Sequence, residues 1–65
     1  MYKFLIGEMA KEKVTIEAMS KLLGIHRNSV SYKLNEGSFY IDEAEQIQET
    51  FFPDRNLKEL FQREE

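Results

Sequence analysis

Between Ile16 and Asn35 the chain reads IEAMSKLLGIHRNSVSYKLN, and the spacing of three residues in this stretch restricts how it can fold. Ser20 is small enough to let two helices come close. Gly24 takes a positive φ in a tight turn without a steric penalty, and Val30 closes the wedge from the second helix. Two short helices joined in this way cross near a right angle, and the second projects from the body of the molecule. Thr15 is placed to cap the first of them, so the unit spans residues 15–35.

The rest of the sequence has helical periodicity throughout. Over residues 2–12, Leu5 and Met9, with Tyr2 and Ile6, follow one face at spacings of three and four. Met19, Leu22 and Leu23 give the second helix its inward face before Gly24 ends it. Ile25 in the turn is directed at the core. A third helix starts at His26 or Arg27 and runs to Asn35, with Val30 and Leu34 inward, and Glu36-Gly37-Ser38 reads as a loop. The fourth begins near Ile41, has Asp42 and Glu43 in its first turn, and buries Ile41, Ala44, Ile47 and Phe51. Pro53 disfavours α conformation at Phe52 and stops it. Asn56 caps a fifth helix, with Glu59 as its capping-box partner and Leu57, Leu60 and Phe61 as its apolar stripe. The expectation is a single all-α domain over residues 1–65, a compact five-helix fold. Phe52 and Phe61 are candidates for a C-terminal dimer seam, because a core this small gains from a second copy.

Sixty-five residues leave room for one domain. Without cysteine there is no disulfide framework and no thiolate metal site. No apolar run approaches the roughly 20 residues that cross a bilayer, and the first residues lack the cleavage pattern of a secretory leader. A cytoplasmic protein is expected, without membrane contact, cofactor, metal or small-molecule ligand.

The net charge of −3 is unevenly distributed. Residues 11–33 carry five bases against two acids, whereas residues 34–65 carry nine acids against three bases. The basic island coincides with the two-helix unit. An acidic body behind such a face still permits contact with phosphate at close range, since charges are screened over about 8 Å at physiological salt. It also weakens indiscriminate binding to nucleic acid, which is largely electrostatic.

The chain resembles the Cro and lambda-repressor-like helix-turn-helix family, also called the XRE family, and among its members the very small phage and prophage regulators. The residues that carry the resemblance are Thr15, Met19-Ser20, Leu23-Gly24-Ile25, Arg27-Asn28-Ser29-Val30-Ser31, Leu34 and Gly37, followed by Ile41-Asp42-Glu43-Ala44 and Ile47. The resemblance implies a lambda-repressor-like domain that binds operator double-stranded DNA, usually as a homodimer, and regulates transcription with helix 26–35 in the major groove. Carried over by position, the base-reading candidates are Arg27, Asn28, Ser31 and Tyr32. Their chemistry suits the role: Arg27 can pair with guanine O6 and N7 and Asn28 with adenine, each worth roughly 1–3 kcal/mol of discrimination. Thr15, His26 and Lys33 are the candidates for contacts to the DNA backbone.

Four positions depart from the family pattern. Ile16 stands where many members place a phosphate-binding glutamine, and His26 and Tyr40 stand where Ser or Thr caps are common. Ser20 replaces an alanine, and its hydroxyl is expected to bond back to a carbonyl one turn earlier. Enzymatic chemistry is not expected. His26 is the lone histidine and lacks a nucleophile–acid arrangement, and Asp42, Glu43, Glu45 and Glu49 follow a solvated helix face. The alternative reading is a protein-interaction module on the same fold, such as an antirepressor or adaptor. It draws on the net acidity, Ile16 and the aromatic group Phe39, Tyr40, Phe51, Phe52 and Phe61.

Overall fold

The structure, a computed structural model, describes residues 1–63. Its helices are α1 (Lys3–Glu12), α2 (Ile16–Leu23), α3 (Arg27–Asn35), α4 (Ile41–Phe51) and α5 (Leu57–Leu60), and there is no strand among the described residues. Each boundary has a local cause. α1 ends on Lys13, which adopts the left-handed conformation at φ 59° while the Val14 N–H donates to the Met9 carbonyl at 2.8 Å. Lys13 thus fills the place at a helix end that glycine usually takes. Thr15 caps α2 by accepting the Ala18 N–H at 3.0 Å, and Gly24, at φ 68°, ends it. Asn56 caps α5 by accepting the Glu59 N–H at 3.1 Å. α4 stops at Phe51, two residues before Pro53.

Each helix sends one fully buried side chain into a common core: Leu5 from α1, Met19 from α2, Val30 from α3, Ile47 from α4 and Leu60 from α5. α2 packs on α3 and α4, and α5 bridges α4 and α1. The Cα radius of gyration, 10.4 Å, lies close to the ~10.7 Å that a compact chain of this length should have.

Two places correct the sequence-based expectation. Ile41 is 68 % exposed, because it occupies the first position of α4 and faces away from Ile47. Phe52 is 3 % exposed and belongs to the core, so it does not form an exposed dimer seam. Phe61 is half-buried. Its ring meets Tyr2 and Phe39, with centroids 5.8 and 5.7 Å away. This aromatic trio joins the start of the chain, the α3–α4 loop and the end of α5.

Tyr2 has a second function in that trio, since its hydroxyl accepts the Phe39 N–H at 3.1 Å. Tyr2→Phe keeps the ring packing and leaves that partly buried donor without its partner. The expected cost is about 1–2 kcal/mol, read as a melting temperature lowered by roughly 5–10 °C.

Two further ties hold the α4–α5 connection. The Gln48 amide donates to the carbonyls of Phe52, at 3.1 Å, and Arg55, at 2.8 Å. Arg55 Nε in turn donates to Glu8 Oε1 on α1 at 2.8 Å, and Glu8 is buried. The hydrogen bond to Glu8, and then the charge of Glu8, hold the Arg55 guanidinium above its ordinary pKa. Glu8 is thereby a buried acid with a partner, which is the condition for tolerating its burial.

Candidate nucleic-acid interface

The turn between α2 and α3 is fastened by one short bond. Ser20 Oγ donates to the Ile25 carbonyl at 2.6 Å, forward across the turn and not back along its own helix as expected. Ile25 packs against the core, as does Ile16. The turn therefore fixes where α3 begins and which way it leaves.

α3 has nine residues, of which only Val30 and Leu34 are buried. Arg27, Asn28, Ser31 and Tyr32 lie at helical spacing along the outer side, where residues three to four apart are neighbours. Arg27 and Asn28 are exposed at the N-terminal end, Tyr32 is 60 % exposed, and Ser31 is half-buried. The Tyr32 ring rests on Gly37. A Cβ added at Gly37 would come within 2.8 Å of Tyr32 Cε2, so the ring occupies the space a side chain there would need. The contact is local to the end of α3, where the Gly37 N–H donates to the Tyr32 carbonyl at 2.8 Å.

The three backbone candidates differ in what they have left to offer. Thr15 is exposed, and its hydroxyl, which accepts the Ala18 N–H, keeps its own proton for another acceptor. His26 caps α3, with Nδ1 accepting the Asn28 N–H at 3.0 Å. A neutral ring that accepts at Nδ1 carries its proton on Nε2, which remains a donor. Lys33 is engaged: its Nζ lies 3.2 Å from Glu43 Oε1 and 4.5 Å from the centroid of the Tyr40 ring. By contrast, no ion pair among the described residues holds Lys13, Lys21 or Arg27.

The cap on α3 yields a direct check. His26→Ala should cost about 0.5–2 kcal/mol, as loss of other side-chain caps does, and His26→Asn should recover most of it. Thermal denaturation of the two variants at neutral pH measures both effects.

No group of three or more His, Cys, Asp or Glu among the described residues is arranged to hold a metal ion. No helix there is long and apolar enough to cross a membrane. No family model, curated protein or solved structure matches this chain.

Proposed function

We propose that this protein is a Cro- or lambda-repressor-like regulator that binds operator double-stranded DNA, with α2, the turn and α3 acting as a helix-turn-helix. The observation that carries the reading is the outer side of α3, where Arg27, Asn28 and Tyr32 are exposed beside half-buried Ser31 while Val30 and Leu34 anchor the helix. The N-terminal residues of a recognition helix are the ones that meet base edges in the major groove. Arg27 and Asn28 occupy those positions and reach guanine and adenine by the bidentate pairings expected of their side chains. Ser31 and Tyr32 extend the contact one turn further. The Thr15 hydroxyl and His26 Nε2 donate to flanking phosphates, contacts that fix register without reading sequence.

A homodimer presents two copies of α3 about 34 Å apart, so that both enter successive major grooves on one side of the duplex. The operator is then an imperfect palindrome, and occupancy occludes a promoter. The setting is the cytoplasm. Selection from a random duplex pool at low and moderate salt tests the reading. Enrichment of a palindromic site is the expected result, and binding no tighter than to random sequence would overturn it.

A protein-interaction module is the second reading. The exposed Tyr40 and Ile41, 70 % and 68 % accessible, favour it. The same selection separates the two, since an antirepressor or adaptor enriches no sequence.

A further inference from the structure

Lys33 is the cation of α3 nearest the proposed reading surface that does not point its charge at open solvent. It borders the same surface groove as Asn28 and Ser29. Its side chain is 18 % exposed and that of its partner Glu43 is 15 % exposed. Glu43 Oε1 is fixed in place because it also accepts the Tyr40 N–H, at 2.9 Å, at the start of α4. The ammonium thus has a preplaced carboxylate on one side and the face of Tyr40 on another. A charge-assisted bond of this kind is stronger than a neutral one, and partial burial lessens its screening by salt.

We propose that Glu43 is an internal competitor for phosphate: it occupies the Lys33 ammonium and so withholds one non-specific DNA contact beside α3. The inference rests on the DNA-binding reading. Binding to random duplex is governed by the number of phosphates that cations neutralise, each adding about 0.9 to the slope of log affinity against log salt. Withholding one such contact lowers affinity for every sequence and leaves the base contacts of Arg27 and Asn28 intact. The ratio of specific to non-specific binding is therefore unchanged, while less protein is held on random duplex at a given concentration. The capping bond to Tyr40 does not require the charge, since glutamine serves equally at this helix position. Charge and cap are therefore separable by one substitution.

Titrating a random-sequence duplex between about 50 and 200 mM salt tests the proposal. Glu43→Gln should bind more tightly than the wild type at the low end, with a salt slope steeper by about 0.9. Its advantage should then shrink about 3.5-fold across that range, the factor one phosphate contact implies. Glu45→Gln, with the same change in net charge on an exposed side chain of α4, should not reproduce the steeper slope. Lys33→Met should leave the wild-type slope unchanged and should cancel the gain in the Glu43→Gln background. Without DNA, acetylation of Lys33 by an N-hydroxysuccinimide ester should be faster in Glu43→Gln, as mass spectrometry reads it. A wild-type slope that Lys33→Met flattens by about 0.9 would overturn the proposal. So would equal slopes, or equal acetylation, in the wild type and a Glu43→Gln variant folded by circular dichroism. Those results leave the DNA-binding reading standing, whereas absence of DNA binding by the wild type removes both.

Discussion

Leu60→Ala is expected to remove most of the stability of this protein. α5 has four residues, far fewer than a helix needs to persist alone in water, so its order comes from packing. That packing is concentrated in Leu60, which is fully buried and meets the fully buried side chains of the other helices in one core. Truncating a buried leucine to alanine costs about 2–5 kcal/mol, the range reflecting how far the surroundings collapse into the void. A core in a domain this small supplies only about 3–5 kcal/mol. The two figures overlap, so the variant should melt at least about 8 °C lower (about 4–8 °C per kcal/mol) and be partly unfolded at 37 °C. Because α5 bridges α1 and α4, the loss should be global: circular dichroism and tryptic cleavage near the N-terminus should report the same midpoint. Leu57→Ala, at a half-buried position of the same helix, should cost clearly less. A Leu60→Ala protein that melts within about 3 °C of the wild type would show that the core does not depend on α5.

The parts of this fold legible in the sequence are those governed by neighbours a turn or less away. Thr15, Gly24 and Asn56 act on backbone groups within four residues, and each does what its chemistry predicts. The inward residues of α1 and α3, and Met19 of α2 with half-buried Leu22 and Leu23 beside it, follow from spacing in the same way. Ile41 shows where spacing misleads. Each residue turns a helix by about 100°, so a step of three falls about 60° short of a full turn, and two such steps put Ile41 about 120° round the axis from Ile47. An unbroken run of threes walks off the core. What lay beyond reach were pairings between distant residues: Glu8 with Arg55, and Tyr2 with Phe39 and Phe61. None has a periodic signature, because each is created by the topology that brings the chain ends and the α3–α4 loop together. Lys33 and Glu43 lie ten positions apart on different helices and belong to the same class. The candidate reading residues were visible only through the family resemblance and the turn that orients them, since exposed polar residues carry no packing signal.

Arg27→Ala and Asn28→Ala should each abolish preference at one base position of the operator half-site, and Arg27→Ala should do so while the fold becomes slightly more stable. Arg27 is the first residue of α3, whose first turn contains no acid, and it makes no ion pair among the described residues. A cation at that end of a helix opposes the macrodipole, an arrangement that costs about 0.3–1 kcal/mol at an exposed site. Stability alone therefore gives no reason for an arginine there, whereas a donor pair aimed at guanine does. Each substitution should cost about 1–3 kcal/mol against the cognate operator, or roughly 5- to 150-fold in affinity, and little against a duplex already altered at that base pair. Asn28→Ala should leave the salt slope unchanged, because asparagine displaces no counterion. Its backbone N–H, which His26 caps, is retained, so its melting temperature should stay close to that of the wild type. The discriminating measurement is a matrix of the two variants against operators mutated singly across the half-site, read beside thermal melts. Uniform weakening over all sequences would reduce Arg27 to a phosphate contact. A loss of binding that tracked a loss of stability would instead make both residues structural, and the reading of α3 would fall with them.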